Sequence, residues 1–336
     1  MQIQQNISLK QFNTFGIDVN ARYFSAFKNE DELREITRVH TQMPLLVLGA
    51  GSNLLFTKDY DGIVLKNEME GITLVKEDMH YVYVKVGAGE NWHQFVQYCL
   101  QRNWQGVENL SLIPGNVGAG PLQNIGAYGV EIKDVFEELE AYLINDNSIR
   151  TFSTNDCAFG YRESIFKTKL KGQAIILNVT FRLNKIPKYN VSYGAIEDEL
   201  SQMGVKNLTA RSISLAVMNI RSSKLPDPLR LGNAGSFFKN PSIPFAQYNE
   251  LKKLNPSIPG FKNENGSVKL AAGWLIEQCG WKGFRKGDAG CYAQQALVLV
   301  NYGSASGKEI YDLSEEIVQS VFKKYSIMLE REVNIM

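Results

Sequence analysis

Two segments of this chain carry residue types suited to chemistry on a bound organic anion. Residues 113–129 read IPGNVGAGPLQNIGAYG, with glycine at Gly115, Gly118, Gly120, Gly126 and Gly129 and no charged side chain. Glycine admits positive φ and lets another molecule touch the backbone, and successive N–H groups in such a loop form a concave nest for an anion. With no Lys or Arg in the segment, peptide dipoles would have to balance that charge, so the expected ligand bears phosphate and lies on main chain. Residues 232–241 read GNAGSFFKNP and set Ser236 between a small flexible loop and two phenylalanines, either as a turn hydroxyl or as a reacting group. Arg162, within FGYRES (159–164), is a packed surface residue or a fixed guanidinium fork for a carboxylate or phosphate. Glu332, within LEREV (329–333), gains chemical interest only if its face looks into a cleft; otherwise it is a solvated charge on an edge strand.

Other readings fail on spacing. LGAGSNL (48–54) and VGAGEN (86–91) also compete for a nucleotide, but neither fits GxGxxG: in the first, Leu54 occupies the third glycine position, and the run 115–120 has the spacing reversed. A lone GAG is a tight strand-to-helix turn, which covers 86–91; in 48–54, Ser52 and Asn53 add donors after an apolar strand. GSASGKE (303–309) is one residue short of a P-loop and carries Glu309 where Ser or Thr is required. No serine sits in a nucleophile elbow, and the three histidines, His40, His80 and His93, all lie in the first hundred residues, far from Ser236 in sequence. Cys99, Cys157, Cys279 and Cys291 are scattered without a CxxC, as expected of buried thiols, and no metal site is expected.

Composition sets the frame. The chain has 336 residues, 44% hydrophobic and 21% charged, enough for two or three domains. A net charge of +1 argues against a nucleic acid or an anionic membrane as the main partner. No apolar run is long enough for a signal peptide or a membrane span, so the expected location is cytoplasmic.

The elements that must position these groups change character along the chain. Short strands are expected at 45–48 and 62–65, hairpins over 72–75/81–86 and 140–145/148–152, and a long strand over 174–183. A helix over 91–102 places Trp92, Phe95, Val96, Cys99 and Leu100 on one stripe. Thr209 can cap a helix over 210–221, and further helices are expected at 269–279 and 308–324. The tail 328–336 alternates as a final strand that pairs back onto an earlier sheet.

In chain order NTFG (13–16), LGAGSNL, the 113–129 segment, YRES (161–164), KLPDP (224–228), GNAGSFFKNP and LEREV form a series that resembles the UDP-N-acetylmuramate dehydrogenase family, whose members are also called UDP-N-acetylenolpyruvoylglucosamine reductases. The resemblance spans essentially the whole chain. It implies an α+β fold: a two-lobed, PCMH-type (vanillyl-alcohol-oxidase-like) FAD-binding domain, its lobes at 1–67 and 68–215, and a C-terminal α/β substrate domain at 216–324. The strand 325–336 would return to or beside the first lobe. FAD would be non-covalent, since neither glycine loop holds a histidine, with NADPH as co-substrate. The implied flavin contacts are Gly49, Ala50, Gly51, Ser52, Asn53 and Leu54 in one loop, and Pro114, Gly115, Gly118, Ala119, Gly120, Gln123, Asn124, Ile125, Gly126 and Ala127 in the other. VSYG (191–194) resembles the mobile tyrosine loop of the longer, type I members, with Tyr193 closing over the UDP-sugar, while Lys224, Asn240 and Gln295 match positions near the diphosphate.

The implied reaction carries hydride from NADPH by way of FAD to C3 of an enolpyruvyl group, followed by a proton to C2. Hydride addition drives charge onto the substrate carboxylate, and a fixed cation there stabilises the transition state more than the ground state. The motif match gives that role to Arg162, the proton to Ser236, and a third catalytic part to Glu332, either protonated or hydrogen-bonded toward Arg162. Another flavin oxidoreductase of the same fold, or a nucleotide-sugar-binding protein without redox chemistry, are the alternatives. The expected species is a monomer acting on a UDP-sugar.

Overall fold

The computed structural model describes residues 3–39 and 43–336. The chain divides into two compact units. The first comprises the described residues of Met1–Ile7, Ala21–Gly51 and Tyr60–Ser223; the second comprises Ser8–Asn20, Ser52–Asp59 and Lys224–Met336.

In the first unit a small sheet joins Gln4–Ser8, Asn20–Phe27, Tyr60–Asn67 and Leu45–Leu48, in that spatial order, with Tyr60–Asn67 parallel to both of its neighbours. A larger antiparallel sheet runs Ser148–Ser153, Phe136–Leu143, Ala174–Asn184, Tyr81–Gly87, Ile72–Glu77. Both expected hairpins belong to it. In Tyr81–Gly87 the alternation works as expected: Val82, Val84 and Val86 are buried, while Tyr81, Tyr83 and Lys85 are half-buried.

The central strand Ala174–Asn184 is apolar at seven of its eleven positions and mostly buried, because it packs against cores on both faces. Ile175 and Leu177 pack with Phe27, Leu33, Ile36, Ile63, Leu65 and Tyr142, whereas Ile176, Val179, Phe181 and Leu183 pack into the core built on the opposite face. A register shift between Glu140 and Ala141 lets one strand serve both cores. Helix Trp92–Gln101 covers the second core. Asn91 Oδ1 accepts from Gln94 N at 3.0 Å as its cap, and the expected stripe of Trp92, Phe95, Val96, Cys99 and Leu100 is buried. Burial of each such side chain stabilises by about 2 kcal/mol.

The second unit centres on a sheet ordered Gly232–Ser236, Val298–Asn301, Ala289–Cys291, Arg285–Lys286. Helix Gly307–Tyr325 buries Ile310, Leu313, Ile317, Val318 and Val321. Ser306 and Glu309 form its capping box, which accounts for the P-loop-like string GSASGKE. Thr209 Oγ1 accepts from Ser212 N at 3.0 Å ahead of helix Ala210–Lys224 in the first unit, as expected of a cap.

Two elements differ from expectation. The helix expected at 269–279 is only Ala272–Gln278, because Val268–Leu270 is a strand between Ser242–Ile243 and Gly260–Lys262. In the tail only Asn334–Ile335 is a strand, parallel to Leu54–Leu55, with a single bridge between Arg331 and Phe238. The backbone groups of 329–333 are divided between several partners and so never form a regular ladder.

Candidate active site

The glycine-rich segment meets the other two glycine loops inside the first unit. Val117 N donates to Glu90 O at 2.8 Å and Gly118 N to Ala88 O at 3.0 Å, while Ala119 and Gly120 donate to Asn116 O and Val117 O in a single 3₁₀ turn, Val117–Ala119. A Cβ on Gly118 would lie 2.5 Å from Ala88 Cβ, and one on Gly120 would lie 2.5 Å from Ile132 Cδ1. These two glycines are therefore required by close packing, and their N–H groups are taken up by protein carbonyls. This corrects the simple picture of 113–129 as a row of bare donors. Gly115 at φ 121° and Gly51 at φ 64° do use glycine's freedom.

Asn116, absent from the sequence-based candidates, joins the three loops. Its side chain donates to Gly89 O and sits against Gly49, where a Cβ would be 3.5 Å from Asn116 Cβ. Lys66 is a second unanticipated residue. Its ammonium donates to Gly49 O, and burial holds its pKa below the usual lysine range. The charge that 113–129 lacks is thus present behind the other loop. A diphosphate-bearing cofactor fits this set: small uncharged side chains, positive-φ glycines and a cation bonded to the GAG carbonyl.

The Arg162 turn is anchored to the same segment. Ser164 Oγ donates to Leu122 O at 2.7 Å, and the buried Asn124 side chain bonds Gly160 O at 3.0 Å and Glu131 Oε2 at 2.9 Å. Arg162 has φ 56°, and its Nη2 donates to Gly126 O at 2.6 Å. A Cβ on Gly126 would come within 3.1 Å of Arg162 Nη1, so the glycine leaves room for the guanidinium. Gln123 accepts from Lys167 Nζ at 3.4 Å. Pro114, Ile125 and Ala127 complete this part of the first unit, and Ile125 and Ala127 pack on its core. The chain leaves this unit between Gly51 and Ser52, after Ala50.

In the second unit, Ser236 ends strand Gly232–Ser236, opposite Val298 and just after Gly235 at φ 69°. Glu332 N donates to Phe237 O at 2.8 Å, and Lys239 N donates to Glu330 O at 2.8 Å. The strand carrying Ser236 thus continues alongside the segment carrying Glu332. Asn53 closes the group: its Nδ2 donates to Glu332 O at 3.4 Å, and Asn334 Nδ2 donates to Asn53 O at 2.8 Å, next to Leu54 in its pairing with Asn334. NTFG proves to be a brace for this strand. Asn233 N donates to Thr14 O at 3.0 Å, Asn301 Nδ2 donates to Phe15 O at 2.9 Å, and Gly232 passes so near Phe15 O that a Cβ would lie 2.4 Å from it.

Asn240 Oδ1 accepts from Ala272 N at 2.9 Å, capping helix Ala272–Gln278. Gln295 Oε1 lies beside the same helix, 2.8 Å from where a Gly273 Cβ would be. Lys224 is exposed at the end of helix Ala210–Lys224. Tyr193, in the first unit, begins helix Gly194–Gln202, is 52% exposed and meets the Tyr128 ring edge-on at 5.5 Å.

Burial raises the thiols of Cys157 and Cys291 to about 12 and that of Cys99 well above its usual range, so these three are inert; Cys279 is half-buried. His93 Nδ1 accepts from Leu112 N at 3.0 Å, and burial, then Arg221, lowers its pKa. His40 lies outside the described residues. No helix among the described residues is long and apolar enough to cross a membrane.

Comparison with known proteins agrees with this architecture. Residues 21–153 match the model of an FAD binding domain, and residues 227–336 match that of the UDP-N-acetylenolpyruvoylglucosamine reductase C-terminal domain. The chain is 50% identical to the UDP-N-acetylenolpyruvoylglucosamine reductase of Amoebophilus asiaticus over 100% of this chain and 99% of that one. Against the Flavobacterium johnsoniae protein of the same name the figure is 47%, over the full length of both. The solved UDP-N-acetylenolpyruvylglucosamine reductase from Thermus caldophilus superposes with a TM-score of 0.71 at 24% identity, over 100% of this chain and 99% of that one, and so shares the fold. The α+β architecture expected from the motifs stands, and the match over residues 21–153 makes FAD the cofactor. On these identities over its whole length, the chain belongs to the UDP-N-acetylenolpyruvoylglucosamine reductase family.

Proposed function

We propose that this chain reduces UDP-N-acetylglucosamine enolpyruvate to UDP-N-acetylmuramate at the expense of NADPH, as a monomer in the cytoplasm, with Arg162, Ser236 and Glu332 as its catalytic residues. The chemistry that FAD supplies when bound is hydride transfer, in from NADPH and out to the enolpyruvyl C3. The loops 49–54 and 114–127 would hold it non-covalently, with Lys66 lending positive charge from behind Gly49. Residues 1–67 and 68–215 would form the two lobes of that domain, and 216–324 would bear the substrate.

Arg162 balances the charge that builds on the substrate carboxylate. Its guanidinium is fixed by Gly126 O before substrate arrives, so little reorganisation opposes the transition state. Ser236 delivers the proton to C2. A hydroxyl is a weak acid, which suits a strongly basic carbon, and Gly232 and Gly235 keep its approach open. Glu332 acts either protonated or hydrogen-bonded toward Arg162, since a bare ionised carboxylate would repel the developing enolate. Tyr193 covers the UDP-sugar, and Lys224, Asn240 and Gln295 face its diphosphate.

One observation carries the reading: the Glu332 segment is hydrogen-bonded both to the strand that follows Ser236 and to Asn53 of the first flavin loop. The test is spectral. Purified protein should be yellow, bleach with NADPH in the absence of oxygen and regain its colour when the enolpyruvyl UDP-sugar is added. A colourless protein, or one that recolours only with oxygen, would overturn the proposal.

A further inference from the structure

The segment leading to Tyr193 is fastened to the end of the glycine-rich segment by two asparagine side chains. Asn109 is 1% exposed, and its Nδ2 donates to Tyr128 O at 2.9 Å and to Asn190 O at 2.8 Å. Asn190 answers with a bond from its own Nδ2 to Gly129 O at 2.9 Å, while its Oδ1 accepts from Ser192 N at 3.2 Å and Ser192 Oγ at 2.8 Å. Tyr128 and Gly129 both have positive φ, 51° and 80°, a kink that turns their carbonyls toward the two amides. A Cβ on Gly129 would lie 3.1 Å from Asn190 Nδ2, so the clasp also needs the missing side chain.

Beside this clasp lies a cleft of about 730 Å³ lined by Asn109, Gly129, Asn190, Val191 and Ser192 among others. The loop is therefore backed by open space along part of its length, and Tyr189 and Val191 supply its apolar packing. Directional bonds add to this packing. Asn109 is suited to that task, because a buried amide that loses one acceptor leaves an unsatisfied donor, which disfavours any intermediate position.

We propose that Asn109 is a positioning residue for substrate binding: with Asn190 it forms a two-amide clasp that holds the Tyr193 loop against the glycine-rich segment and sets the pose from which Tyr193 meets the UDP-sugar. The proposal rests on Tyr193 contacting that substrate.

The test uses the FAD-loaded full chain. In Asn109→Ala the flavin content and visible spectrum should be those of wild type. KM for the enolpyruvyl UDP-sugar should rise about tenfold with kcat retained, as expected when binding shared by ground and transition states is lost. Trypsin cleavage after the exposed Lys188, measured without substrate, should accelerate by a similar factor. Asn190→Ala should reproduce both effects, and the double variant should be barely worse than either single one, because the amides act as a unit. If Asn109→Ala does not retain flavin, the same readings are taken on Asn190→Ala. Unchanged KM together with unchanged tryptic cleavage would overturn the clasp. Tyr193→Ala separates the two layers: normal substrate affinity in that variant removes the role of Tyr193 and with it the consequence for binding, while the tryptic readout still decides whether the clasp holds the loop.

Discussion

Gly118→Ala tests whether the glycines of 113–129 serve packing between loops. The added methyl would sit 2.5 Å from Ala88 Cβ, 3.1 Å from Ala88 Cα and 3.2 Å from Ala88 O. Ordinary carbon contacts are about 3.5–4.0 Å, so roughly 1 Å must be found between two backbones that a 3.0 Å hydrogen bond now holds together. Overpacking of this kind costs about 1–3 kcal/mol, and a weakened Gly118–Ala88 bond adds up to about 1 kcal/mol. The entropy gained from restricting the unfolded chain returns at most about 1 kcal/mol. The net loss is about 2 kcal/mol, roughly thirtyfold in an equilibrium constant. It should show as a lower urea midpoint for apoprotein and as weaker FAD binding followed by flavin fluorescence. The steric reasoning also specifies a rescue. Because the nearest atom is Ala88 Cβ, the double variant with Ala88→Gly should recover most of the loss. A Gly118→Ala protein with wild-type midpoint and FAD affinity, or a double variant no better than the single one, would refute it.

Three further outcomes follow from the same geometry. Gly126→Ala pushes on the Arg162 guanidinium at 3.1 Å; turnover of the UDP-sugar should fall about tenfold or more while the rate of flavin bleaching by NADPH is retained, measured by stopped-flow absorbance. Asn240→Ala removes the acceptor for Ala272 N and should lower stability by about 1 kcal/mol in urea denaturation, with a rise in substrate KM if Asn240 also faces the diphosphate. Glu108 is 2% exposed, and burial lifts its pKa above the ordinary 4.5, so the folded state holds a proton that the unfolded state releases first. Stability contributed by that group is present below pH 4.5 and is lost as pH rises through the folded value. Glu108→Gln should therefore raise the melting temperature at pH 7 to 8 and lose that advantage below about pH 4.5, as read from thermal scans across pH.

Local signals in the sequence were legible where the physics is local. The hairpins follow from alternation, the 91–102 helix from its apolar stripe, and the cap at Thr209 from a hydroxyl placed directly before a helical run. The helix at 269–279 was overestimated because Lys269 and Leu270 suit a helix by composition, yet their backbone pairs with strands on either side. Asn116, Lys66 and the Asn109–Asn190 clasp carried no such signal. Asn116 reaches Gly89, 27 residues away, and Asn109 reaches Asn190, 81 residues away, so their roles exist only once the chain is folded. The glycines of 113–129 illustrate the converse. Their density raises the expectation of a ligand lying on bare backbone, but at Gly118 and Gly120 the atoms in close approach are the protein's own.

The central claim is that the chemistry on the enolpyruvyl group belongs to Arg162, Ser236 and Glu332 and is separable from flavin reduction. Its most direct test is single-turnover reoxidation of NADPH-reduced Ser236→Ala by UDP-N-acetylglucosamine enolpyruvate without oxygen. Flavin bleaching should proceed at the wild-type rate, and recovery of colour with product should slow by on the order of a hundredfold or more. Recovery at the wild-type rate would contradict the assignment of Ser236 as the proton donor and, with it, the account of the site.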